Sequence, residues 1–156
     1  MNADTNQVIN PFKSIVANCQ IEFRLAQLDP NSNCTDGITR TVSTLTFNAD
    51  NNVKQLIDWD DEQYLNIWVV DHISFGAGGY SYYPGVGPGL EGIVVLHTQL
   101  GGIGTSIGGG NFSKRTLTHE IGHYLNLKHT WGGSNDCGDP GNCSIDDNVN
   151  DTPNTI

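Results

Sequence analysis

Charge is scarce in this sequence, and positive charge is scarcest. Seven Lys and Arg against 17 Asp and Glu give a net charge of −10 over 156 residues. No basic patch is available to neutralise a phosphate backbone, so nucleic acid is excluded as a leading partner. No apolar run approaches the roughly 20 residues that a membrane-spanning helix needs. Residues 1–10 are polar and contain no signal-peptide core, so in a secreted protein the signal would already have been removed. Methionine occurs once, at Met1. The four cysteines, Cys19, Cys34, Cys137 and Cys143, form no C-x-x-C pair, which argues against a zinc ribbon or a thioredoxin-like motif.

What is present is mostly small and polar. Hydrophobic residues make up 37% and charged residues 15%, and Asn, Gly, Thr and Ser fill the gap. That balance implies long, turn-rich loops between a few apolar elements. The length suits one domain. The acidic surplus favours solubility and offers oxygen ligands for calcium, with a plain solvated surface as the equal alternative. An even cysteine count in such a composition suggests disulfides. Cys19 with Cys34 would close a loop of roughly 15 residues and stabilise by about 3 kcal/mol in the chain-entropy view. Cys137 and Cys143 have each other, or cysteines elsewhere, as partners.

Residues 21–28 alternate, with Ile21, Phe23 and Leu25 on one face and Glu22 and Arg24 on the other, which predicts a strand. Asp29-Pro30-Asn31 ends it. Residues 41–47 read as a short extended stretch, and 52–59 as a short helix with Val53, Leu56 and Ile57 on one side. Residues 64–73 are nearly continuously apolar and predict a central strand buried on both faces. Residues 76–89 read as a loop, 92–98 as a further strand, and 101–110 as a second glycine-rich loop. Residues 112–127 are the clearest helix, with Ser113 as N-cap and Leu117, Ile121, Tyr124 and Leu125 as a core-facing stripe. Strands first and one long helix late predict an α+β domain, a twisted sheet backed by helices.

His119-Glu120-Ile121-Gly122-His123 lies within that helix. At about 100° per residue the two imidazoles project from one face, one turn apart, so both reach one zinc at about 2.0–2.1 Å. Glu120 is turned aside, poorly aimed as a ligand but suited to hold an attacking water. A catalytic zinc site needs a third protein ligand and leaves the fourth position to water. His129, six residues after His123, can serve only if the chain turns sharply between them. Asn126 sits at that turn, and Asn tolerates the left-handed conformation that ends a helix. The plain alternative is an amphipathic helix with surface histidines. His72 and His97 read as structural or surface residues. Tyr80, Tyr82 and Tyr83 are split between substrate contact and loop packing.

The pattern H-E-x-x-H-x-x-N-x-x-H resembles the long zinc signature of the metzincin clan, with Asn126 where Gly is usual. The flanks, His119 through Trp131 and then Asp147-Asn148-Val149-Asn150-Asp151-Thr152-Pro153, resemble the pappalysin family of secreted endopeptidases. The specific likeness covers residues 115–153. It implies a metzincin-like, mostly parallel twisted sheet with a backing helix and an active-site helix. It implies zinc on His119, His123 and His129, with Glu120 as general base for hydrolysis of peptide bonds by a zinc-bound water. Residues 92–98 would be the edge strand that receives an extended peptide. The resemblance also implies calcium, on Asp147, the Val149 carbonyl and Thr152, with Asp151 nearby. The family's methionine turn lies beyond the motif, and the sole methionine is Met1. The chain therefore reads as a single catalytic subdomain, 1–156, lacking the part with the Met-turn. Its expected partners are a peptide or protein substrate and its own C-terminal subdomain as a separate fragment, with neither nucleic acid nor membrane. Two rival readings remain: a fragment acting only as a zinc- and calcium-binding or interaction module, and a zinc hydrolase of non-peptide substrates.

Overall fold

The computed structural model describes residues 5–132, 134 and 137–150. The chain divides into two units, Met1–Ile38 and Thr39–Ile156.

The first unit holds 3-10 turns at Thr5–Gln7 and Asn10–Ile15. Residues 21–28 do not form the expected strand. Among the described residues their only ladder contact is an isolated bridge between Leu28 and Cys34. The turn between them is built by Asp29, whose carboxylate accepts from the N–H groups of Asn31 at 2.9 Å and Asn33 at 2.8 Å. Alternation marks a strand only where a neighbouring edge takes up its hydrogen bonds, and among the described residues none does. Ile21, Phe23 and Leu25 stay exposed. Cys19 and Cys34 are free, exposed thiols, so the bond expected between them is not formed, and Cys137 is free as well.

The second unit is α+β, organised on three short strands: β1 (Ile67–Val70), β2 (Gly79–Ser81) and β3 (Ile93–Leu96), in the order β1-β3-β2. β1 runs parallel to β3, and β2 runs antiparallel to it. The sheet is thus mixed, and two assignments change. Residues 92–98 hold the middle strand, not the edge. The edges are β1 and β2, and β2 lies inside the stretch that reads as a loop. β1 is buried on one face only, through Trp68 and Val70, while Ile67 and Val69 are exposed.

β3 is the strand buried on both faces, with Ile93, Val94 and Val95 each 0% exposed. On one face Val94 joins Trp68, Val70, Ile73, Ala49 and Val53 in the core. Beneath them the chain makes 3-10 turns at Thr44–Phe47, where an extended stretch is expected, and at Asn51–Gln55, where a longer helix is expected. Each is a single capped turn. Ser43 Oγ accepts from Leu45 N–H at 3.2 Å, and Asp50 accepts from Asn52 N–H at 2.8 Å. Asx and Ser caps of this kind offer the backbone a local alternative to a longer helix.

Lys54 is fully buried in this half of the fold. Its ammonium donates to the carbonyls of Leu90, Glu91 and Gly92. It also lies 5.0–5.6 Å from the ring centroids of Trp68, Tyr80 and Tyr82. Burial pulls its pKa down from 10.5 to about 8, against the opposing pull of Asp61, Asp58 and Glu91.

The other sheet face carries α1 (Thr116–Tyr124), which follows a 3-10 turn at Ser113–Arg115. Ser113 does not cap the helix, because it opens the 3-10 turn and Arg115 takes the N-cap position. The buried side of α1 is also not the expected stripe. Thr116 and Glu120 are its buried residues, while Leu117, Ile121 and Tyr124 are half-buried and Leu125 is exposed. Gly79 explains this. A Cβ there would stand 3.1 Å from Thr116 Cγ2, Glu120 Cγ and the Val94 carbonyl. The missing side chain lets α1 lie against β2 through its polar face. No described helix is long and apolar enough to cross a membrane.

Candidate metal centre

α1 ends as Asn126 predicts. Asn126 takes φ +70°, Leu127 N–H bonds back to the Gly122 carbonyl at 2.9 Å, and Asn126 N–H to that of His123 at 2.8 Å. This 6→1 and 5→2 pair is a Schellman closure, and it reverses the chain within three residues. His129 is returned to the face from which His119 and His123 project.

The result is a nearly equilateral triangle of imidazole nitrogens. His119 Nε2 and His123 Nε2 are 3.1 Å apart, His123 Nε2 and His129 Nε2 3.1 Å, and His129 Nε2 and His119 Nε2 3.2 Å. The outer nitrogens set the tautomers. His123 Nδ1 lies 2.8 Å from the Leu127 carbonyl and His129 Nδ1 3.1 Å from that of Ser134. A carbonyl accepts only, so each Nδ1 carries the proton and each of these Nε2 atoms presents a lone pair. Lone pairs that face one another at this distance repel unless a cation lies between them. A point about 2.0–2.1 Å from all three nitrogens exists just off their plane, the distance zinc takes from imidazole. Burial, and the neighbouring His123 and His129, hold the His119 pKa below its ordinary value, which also favours the neutral, ligating form. Among the described residues this is the one His/Cys/Asp/Glu group of such geometry.

Glu120 sits beside the triangle at 5% exposure. Burial raises its carboxyl to about 7, opposed by a hydrogen bond from the Ser81 backbone. Ser81 is the last residue of the edge strand, so the carboxylate is tied to the rim on which an extended chain could add. Tyr83, just beyond, sets its ring edge-on to His123, with centroids 5.6 Å apart at 78°. Tyr80 and Tyr82 instead point into the fold, hydrogen-bonded to Asn51. The three tyrosines thus divide, with one at the histidines and two in the packing.

Trp131, seen in the sequence only as a flank of the motif, stacks on His129 with centroids 4.6 Å apart at 20°. His72 is exposed and lies outside this group. His97 bonds Thr105 at 2.8 Å and lies 3.5 Å from Asp71 at the far end of its strand. Asp147 is buried, and its carboxylate accepts from Val149 N–H at 2.9 Å in an Asx turn. Asp151 and Thr152 lie outside the described residues.

The chain is similar to known proteins in fold and sequence. Mature mirolysin of Tannerella forsythia, solved with a cleaved peptide, superposes with TM-score 0.81 at 39% identity, over 99% of this chain and 58% of that one. Mirolysin with a bound compound gives TM-score 0.82 at 38% identity, over 98% and 58%. An extracellular metalloprotease of Arthroderma benhamiae is 34% identical over 92 residues, 57% of this chain and 31% of that one. One from Arthroderma otae is 34% identical over 95 residues, 57% and 32%. The chain thus spans about a third of these curated relatives and somewhat over half of mirolysin. The model of the peptidase M43 family, described as pregnancy-associated plasma protein-A, matches residues 47–156, and with this metzincin fold the chain belongs to that family, the pappalysins.

Proposed function

We propose that this chain carries the zinc site and upper cleft of a secreted metalloendopeptidase, with His119, His123 and His129 as zinc ligands and Glu120 as general base. The observation that carries the reading is the triangle of Nε2 atoms, two of them fixed as lone-pair donors by carbonyls behind the rings. Zinc held there would supply Lewis acidity and a site for activating water. Glu120, a buried carboxylate adjoining His119, takes the proton of the attacking water and passes it to the leaving amine. The outer edge of β2, unpaired with another strand among the described residues, offers backbone groups to an extended peptide, which adds as a further antiparallel or parallel strand. Family membership and the cleaved peptide in mirolysin support a peptide as substrate. The name extracellular metalloprotease borne by the curated relatives supports secretion.

Calcium near Asp147 and the Val149 carbonyl, with Asp151 and Thr152, remains part of this reading by family likeness. Asp147 is a buried carboxylate with oxygen to offer in that loop.

The test is cleavage of an unstructured protein such as casein by the full chain, with and without a chelator. Chelator-sensitive cleavage restored by zinc is expected. Cleavage indifferent to chelation would contradict the proposal. Zinc binding with no cleavage would favour the rival reading, a metal-binding module whose catalytic completion needs more chain.

A further inference from the structure

His119 and His123 are aimed by α1 itself. His129 is not, because it lies past the helix on irregular chain, and something else must fix its ring. We infer that Trp131 is the positioning residue for His129, an assignment that rests on the zinc reading above.

Two contacts carry it. The indole lies nearly parallel to the imidazole, with centroids 4.6 Å apart at 20°. The indole Nε1 also donates to the Ser134 carbonyl at 2.8 Å, the same oxygen that His129 Nδ1 meets at 3.1 Å. The two rings therefore share one acceptor and one orientation. Turning the imidazole about its Cβ–Cγ bond would break the stack and the shared hydrogen bond together. Partners behind a metal-bound histidine set its tautomer and aim, and here the partner is anchored twice.

The backbone is shaped for this. Gly132 N–H closes a turn onto the His129 carbonyl at 2.8 Å. Gly132 has φ +88°, and a Cβ there would strike the Ile145 side chain. Only glycine allows the turn that folds residue 131 back over residue 129.

The experiment is zinc affinity of the full chain by competition with a chromophoric chelator, for the parent, Trp131→Leu and Trp131→Phe. Trp131→Leu keeps an apolar side chain and removes the stack, so a loss of about 10–100-fold is expected. Trp131→Phe keeps an aromatic face and should recover most of that loss. The visible absorption of the cobalt-loaded protein should shift in the Leu variant and return toward the parent in the Phe variant. Should Trp131→Leu fail to fold by circular dichroism, Trp131→Met replaces it in the comparison. Equal zinc affinity in parent and Leu variant would overturn the assignment, as would equal weakening by Leu and Phe, which would make Trp131 a simple plug. A parent that binds no zinc is a separate outcome and overturns the metal reading beneath it.

Discussion

Two polar clusters lie on opposite faces of the same sheet, and they are finished differently. Lys54, on the core face, is fully buried, and three carbonyls and three aromatic rings from its own chain surround its ammonium. The histidine cluster, on the α1 face, turns nitrogen lone pairs toward one another at 3.1–3.2 Å. The first is a charge that the fold completes by itself, as buried polar groups usually are. The second holds at least two inward-facing acceptors, His123 Nε2 and His129 Nε2, which an added cation would complete. The first arrangement supports a structural role and the second the metal-binding role proposed above.

Breaking each cluster should therefore have different consequences. The largest effect belongs to the open one. Glu120→Gln should lower peptide cleavage by about 10²–10⁴-fold, the usual reach of a general base, and leave zinc affinity unchanged. Steady-state kinetics beside chelator competition would check both, and retained turnover would remove Glu120 from its role. Lys54→Ala should act on stability. Stranding three buried carbonyls and opening a cavity costs roughly 3–5 kcal/mol, readable from urea unfolding and equal with or without a chelator.

The pH dependence sharpens the comparison, with a smaller effect. The folded pKa of Lys54 lies below its unfolded value, so between about 8 and 10.5 the unfolded chain holds a proton that the folded chain has released. Stability from this group therefore rises as pH climbs through that window, and the penalty is fully present below it. The three carbonyls favour the ammonium and keep the effect modest. Denaturation curves at pH 7.5 and 10 for the parent and Lys54→Met should differ in this sense, and identical pH slopes would refute it. The smallest effect concerns the turn that delivers His129. Asn126→Ala should cost about 1 kcal/mol for placing a Cβ residue without a polar side chain in the left-handed region, while Asn126→Gly should be neutral or slightly stabilising.

The grouping of the three histidines was the most legible feature of the sequence because nearly all of it is local. Helical spacing aims His119 and His123, and one conformational preference at Asn126 brings His129 back. The sheet was less legible because its edges depend on distant pairing. β2 is three residues within a Gly- and Tyr-rich run, and only its register with Ile93, Val94 and Val95 makes it a strand. Residues 21–28 show the converse, a good alternating pattern with no edge to join among the described residues. The helix stripe misled because the close approach at Gly79 buries Thr116 and Glu120 rather than the apolar side. Lys54 carries no sequence signal of its own, and Trp131 only that of a flank of the motif. Each gains its role from partners that the fold assembles, Lys54 from carbonyls 36 or more positions away and Trp131 from a turn onto His129.

The most direct test of the central claim is native mass spectrometry of the full chain, before and after chelation, beside the His123→Ala variant. One zinc per chain, removed by the chelator and not retained by His123→Ala, is the predicted result. A parent without zinc, or a variant that holds zinc as firmly as the parent, would contradict the assignment of the three histidines.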